Sequence, residues 1–130
     1  MTLATISGGC LNRLPGGSFD INFEQIETDI DAESPPEITV EGETIHVEGT
    51  VAYGSTDCAD LKLAYAEYQR SQERLDLLIA GVDDGAGSSC NDAAISQGYR
   101  VEATRSGGFR YVSATEHHIG GEIYSTTFEE

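Results

Sequence analysis

The residues best equipped for chemistry are three histidines and several clusters of acids. Glu116, His117 and His118 are consecutive, and His46 stands alone earlier in the chain. Imidazole nitrogens bind copper or zinc, but the ligands must converge on one point. Consecutive residues of a strand face opposite ways, so His117 and His118 do not share an ion. His46 would have to join one of them across a sheet, which leaves His117 a weak metal candidate. Asp83-Asp84-Gly85 with Asn91-Asp92 gathers hard oxygens of the kind Ca²⁺ takes. The EF-hand spacing is absent, however, and no glutamate closes that loop, so Asp83 and Asp84 read as a solvated turn.

Nucleophilic chemistry has less support. Ser88-Ser89 and Ser106-Gly107-Gly108 are turn residues, and neither lies in a Gly-x-Ser-x-Gly elbow. Phosphate-binding glycine loops are lacking too. Paired carboxylates carry no information in a chain where acids are everywhere. The tyrosines (Tyr53, Tyr65, Tyr68, Tyr99, Tyr111, Tyr124) could line a ligand groove, or could pack their rings inward with the hydroxyls wet. The expectation is no catalytic residue, no resident metal or cofactor, and no enzymatic activity.

The elements that would position these residues read as strands. Phe19, Ile21 and Phe23 alternate with polar residues until Ser34-Pro35-Pro36 breaks the pattern. Ile38 and Val40 lead to a Glu41-Gly42 turn, and Ile45, Val47, Gly49, Val51 and Tyr53 then continue with a period of two, the mark of a strand with one buried face. Residues 60–80 admit two readings. A helix is favoured by propensity at Ala64, Glu67, Gln72 and Glu73. A hairpin has Leu61, Leu63 and Tyr65 alternating outward, a turn at Gln69–Glu73, and Leu75, Leu77 and Ile79 alternating back. The hairpin is preferred, because its open end would bring Cys58 and Cys90 together. Tyr99, Val101 and Ala103 precede Ser106-Gly107-Gly108, which reads as a hairpin turn with a return strand from Phe109 to Ile119. Gly120-Gly121 breaks again before a last short strand, Ile123–Phe128. The expected fold is all-β, an immunoglobulin-like antiparallel sandwich of about seven strands, the alternative being α+β with a helix near 60–80.

Charge narrows the partners. Seven basic residues against 23 acidic ones leave a net charge of −16, and Lys62 is the sole lysine. Phosphate binding needs a dense Lys/Arg patch, so nucleic acid is not an expected partner. At ordinary salt such a charge destabilises the compact state by self-repulsion. At molar salt the Debye length falls to about 3 Å and the repulsion is screened. The composition is that of a protein adapted to high salt.

The start of the chain points to export. Thr2–Gly9 is short, uncharged and rich in small residues, and it ends at Cys10. It is too short to span a bilayer, but it reads as the tail of an apolar signal region followed by a small-residue cleavage site. In lipoproteins such a site ends in the cysteine that is lipidated. Ser7 departs from the aliphatic residue usual there, and the basic region that opens a signal would lie upstream. Residues 1–18 therefore read as the remnant of a lipoprotein signal and a flexible tether, and 19–130 as a single domain. A plain N-terminal segment with an incidental cysteine is the competing reading. In an exported chain Cys10 would carry lipid, and Cys58 with Cys90 would form a disulfide; in a cytosolic one all three would be buried thiols.

Taken together, Glu48–Ser55 running into Cys58, Ala66-Glu67-Tyr68, Asp83-Asp84, Cys90, Gly98-Tyr99-Arg100-Val101 and Glu116-His117 resemble a class of small haloarchaeal cell-surface lipoproteins of unknown function. The resemblance implies an immunoglobulin-like sandwich with one disulfide, held by lipid on the outer face of the cell membrane, and it carries no catalytic residues. The expected function is a non-enzymatic envelope domain for adhesion or accessory binding, with an envelope protein as partner. The alternative is a ligand- or metal-binding accessory protein for transport or redox.

Overall fold

A computed structural model of the chain describes residues 19–53, 59–83 and 95–130. Among them lie eight strands: β1 (Asp20–Ile26), β2 (Glu37–Glu41), β3 (Thr44–Tyr53), β4 (Ala59–Gln69), β5 (Arg74–Asp83), β6 (Ile95–Thr104), β7 (Tyr111–His117) and β8 (Ile123–Glu129). They form two four-stranded sheets, ordered β1-β6-β3-β2 and β4-β5-β7-β8. The all-β sandwich holds, with eight strands in place of about seven. Its two-sheet architecture is that of immunoglobulin-like domains, with a strand order of its own.

Alternation builds the core. Along β3, Ile45, Val47, Gly49, Val51 and Tyr53 are buried while the residues between them are half-exposed. β6 and β7 repeat the pattern with Tyr99, Val101 and Ala103, and with Val112 and Ala114. Each such side chain, fully buried, contributes about 1.5–3 kcal/mol if it is Val, Leu or Ile. Phe19, Tyr68 and Phe109 close one end as a three-ring cluster with centroids 5.6–6.1 Å apart.

Residues 60–80 form the hairpin, not a helix. β4 and β5 pair from Gln69↔Arg74 out to Ala59↔Asp83 across a single 3-10 turn at Arg70–Gln72. One detail departs from simple alternation: a bulge between Leu63 and Tyr65 shifts the register. A bulge places one extra residue on one strand, so Leu61 and Leu63 are buried before it, Ala66 and Tyr68 after it, and Tyr65 is 47% exposed.

Two turns also differ from the sequence reading. The β2–β3 hairpin turns at Gly42-Glu43, one residue later than expected, and Gly42 adopts φ 61°. That left-handed conformation at the first central position suits glycine in a two-residue loop. Ser106-Gly107-Gly108 is not a hairpin turn: it carries the chain from β6 in one sheet to β7 in the other. β7 consequently lies beside β5 and runs parallel to it, the one parallel pair between described strands. Parallel neighbours need a long crossover, and β6, laid in the opposite sheet, supplies it.

Candidate functional site

The inward-facing file of β7 reads Val112, Ala114, Glu116 and then His118 just past its end, so an acid and an imidazole occupy positions that alternation assigns to the core. Glu116 is 0% exposed, and the His118 side chain is 2% exposed. The cluster is completed from the other sheet. Tyr99 of β6 donates its hydroxyl hydrogen to Glu116 Oε2 at 2.7 Å, and His118 Nε2 lies 3.0 Å from Glu116 Oε1. Tyr99 in turn stacks on Phe23 of β1, centroids 6.0 Å apart.

Space for this arrangement comes from Gly49, the β3 residue paired with Tyr99. A Cβ there would stand 2.1 Å from Glu116 Oε2 and 2.9 Å from the Tyr99 hydroxyl. The interior at this level is therefore filled by a polar pair where a larger β3 side chain would otherwise pack.

The hydrogen bonds assign the histidine tautomer. The Ala52 N–H donates to His118 Nδ1 at 3.2 Å, so Nδ1 presents a lone pair and the ring proton sits on Nε2, where it is donated to Glu116. The Tyr124 ring of β8 meets the imidazole edge-on, 4.8 Å between centroids. Backbone bonds reinforce the junction: Ile119 N–H donates to Ala52 O, and His118 N–H to Glu122 O. Burial raises the Glu116 pKa, while the donors His118 and Tyr99 oppose that rise. Burial and the neighbouring carboxylate also push Tyr99 ionisation far up, which keeps its hydroxyl a donor.

A carboxylate orienting an imidazole is the inner half of a general-base apparatus. Here the outer half is occupied. The nitrogen that would take a proton from a substrate already accepts from Ala52, and both Glu116 oxygens are engaged. The network closes on itself and joins β6, β7 and the end of β3 across the two sheets.

The other candidates are dispersed. His117 is exposed, facing away from His118 as strand geometry requires. His46 does not join either of them across a sheet: it lies in the other sheet, on β3, with Nε2 3.4 Å from Glu41 Oε1 and Nδ1 3.5 Å from Glu102 Oε2. Among the described residues no three His, Cys, Asp or Glu converge as metal ligands. Asp83 ends β5; Asp84, Asn91 and Asp92 lie outside the described residues, as do Cys10, Cys58 and Cys90. The tyrosines do not line one groove, because Tyr53, Tyr68 and Tyr99 are buried and Tyr65 is on the surface. Tyr111 lies under the Arg74 guanidinium, 4.5 Å from its ring centroid.

A shallow acidic groove runs beside the loop joining β1 to β2, lined by Thr28, Asp29, Asp31, Ser34, Glu37 and Glu48. Glu48 there accepts from Arg100 Nε at 2.8 Å, a surface pair that contributes about 0–1 kcal/mol. Compared with protein-family models, with curated proteins and with solved structures, the chain gives no significant match.

Sequence reasoning placed Tyr99 and Gly49 on their strands but missed their partnership with a buried Glu116–His118 pair. The signal that could have found the cluster is parity: Glu116 and His118 continue the buried file Val112–Ala114.

Proposed function

We propose that the chain is a non-enzymatic, halophile-adapted domain of the cell envelope, anchored to the outer face of the membrane by lipid on Cys10 and serving adhesion or accessory binding. The observation that carries the non-enzymatic reading is the closed network. Its one buried acid and one buried imidazole spend their bonding capacity on each other, on Tyr99 and on Ala52, and so act as an internal brace. The anchoring reading is supported by the small-residue run ending at Cys10, and the halophilic reading by the charge of −16 with a single lysine. A Cys58–Cys90 disulfide belongs to the same proposal. Support for it comes from the hairpin, whose open end is the Ala59↔Asp83 pair, one residue from Cys58.

Intact mass of the protein from native membranes tests this directly. Expected are cleavage before Cys10, added lipid mass, and a loss of about 2 Da for the oxidised cysteine pair. An unlipidated, fully reduced chain recovered from the cytosol would overturn the anchoring and the disulfide together.

A further inference from the structure

Four strands end a sheet: β1, β2, β4 and β8. An end strand offers a row of backbone donors and acceptors to any chain that can pair with it, and proteins blunt such edges with charges, prolines, bulges or covers. Three of the four carry these devices. β1 bears Asp20 and Glu24, and its Gln25 side chain reaches β4, donating to Asp60 Oδ1 at 2.8 Å and to Leu61 O at 3.2 Å. β2 is five residues long, follows Pro35-Pro36 and exposes Glu37 and Glu41. β4 has the bulge and exposes Lys62 and Glu67.

β8 has no charge, proline or bulge along Ile123–Phe128, and the cover it has lies on its inward face, where Thr126 donates its hydroxyl to Pro36 O. Its seven residues, Ile-Tyr-Ser-Thr-Thr-Phe-Glu, pair with β7 in unbroken register from His117↔Ile123 to Tyr111↔Glu129. The composition is β-branched, aromatic and hydroxylic, which favours strands. Ile123 is 58% exposed, and nearby Ile119 is 43% exposed. Among the described residues nothing pairs on the outer side of β8. The charge around this edge is mostly of one sign. Glu122, Glu129 and Glu130 flank it along the chain, and the loop that holds Asp31 and Glu33 leads into Pro36, whose carbonyl accepts from Thr126. Arg110, whose carbonyl accepts from the Glu130 N–H, borders the far end.

We propose that β8 is a strand-addition site for an extended partner segment whose apolar and hydroxylic residues lie between Lys- or Arg-rich flanks. In this mode main-chain hydrogen bonds supply affinity and alternate side chains supply selectivity; the basic flanks act through direct contact pairs with the acids beside β8, and more strongly as salt is lowered. A second copy of the chain fits worse. Each copy carries −16, and antiparallel self-pairing brings the same acids to the seam: centred on Thr126 it sets Glu122 opposite Glu130, and centred on Ser125 it sets them diagonally, where like charges disfavour the pair. The inference rests on the accessory-binding reading and names a surface and a partner class for it.

The test uses a labelled peptide, Lys-Lys-Val-Thr-Val-Thr-Val-Lys-Lys, titrated into the full chain and followed by anisotropy and by amide NMR. Amide shifts should be confined to β8 and its neighbour β7. A Glu-flanked peptide and a peptide N-methylated at alternate residues should each bind about tenfold more weakly. Ser125→Pro and Thr126→Pro remove adjacent N–H groups, which point to opposite sides of the strand. The variant that keeps the parent melting temperature reports the outer side and should lose peptide binding. Shifts elsewhere, or affinity unmoved by the N-methyl peptide and by that variant, would overturn the site. So would a dimer broken by the same proline, or outer β8 amides already protected in the free chain. None of these outcomes alters the mass measurement above, so failure here is separable from failure of the envelope reading.

Discussion

Glu116 makes this interior unusual at the scale of single residues, because a fully buried carboxylate has only two side-chain donors to replace water. Its folded pKa is raised above the ordinary carboxylate value of 4.5, so the native state holds that proton more tightly than the unfolded one. The associated stability is fully present below the ordinary value and is lost as pH climbs through the elevated one. Measured in molar salt, where overall repulsion is screened, the parent should therefore become less stable across that interval. Glu116→Gln should flatten the slope while lowering overall stability by about 1–3 kcal/mol, since the single amide oxygen can accept from His118 or from Tyr99 but not from both, and one buried donor is left unpaired. An unchanged pH profile in the variant would show that Glu116 does not set it. Gly49→Ala probes the same site from the opposite strand. With the new Cβ 2.1 Å from Glu116 Oε2, it should cost about 1–3 kcal/mol by overpacking, read as a lower denaturation midpoint. A midpoint within error of the parent would mean that the pair relaxes freely.

Among the elements, the β4 bulge decides which side chains enter the core. Leu61 and Leu63 face inward before it, Ala66 and Tyr68 after it, and Ala64 and Tyr65 are both exposed between them. Deleting Ala64 keeps the inward file intact, because Leu63 and Ala66 would then be separated by Tyr65 alone. The deletion should fold with a stability change below about 1 kcal/mol, whereas a register slip without such a bulge turns a whole strand inside out. Collapse of the deletion variant would show that the bulge does more than absorb a residue. Strands and their faces were legible wherever alternation was strict, as along Ile45–Tyr53 and Tyr99–Ala103. The bulge was not, because Leu61-x-Leu63-x-Tyr65 is a faultless alternation and nothing local marks Ala64 as extra. Nor was the parallel β5–β7 pair, since Ser106-Gly107-Gly108 has the composition of a hairpin turn and only the packing of β6 on the opposite sheet makes it a crossover. The buried cluster fell between these cases: Glu116 and His118 have the parity of core residues, but the partnership with Tyr99 exists only once two sheets face each other.

The whole molecule carries −16 on a small sandwich, with its acids spread over both sheets and the loop between β1 and β2. Raising salt from about 0.1 M to 1 M shortens the Debye length from about 10 Å to about 3 Å. The melting temperature should rise by several degrees over that range, and more steeply than for a variant with ten exposed acids replaced by their amides. Equal salt responses in the two proteins would mean that repulsion between surface carboxylates does not limit stability. The crossover that sets β7 beside β5 has a consequence in time. β5 is made early, yet its second neighbour arrives only after β6 has crossed to the other sheet, and β8 has nothing to pair with until β7 is placed. Pairings so distant along the chain form slowly. The interior cannot be sealed section by section; it waits for the final strands Tyr111–His117 and Ile123–Glu129. Until that tail is delivered one four-stranded sheet faces only the β4–β5 hairpin, and a chain whose core is not yet sealed is more easily drawn through a narrow channel than a finished sandwich.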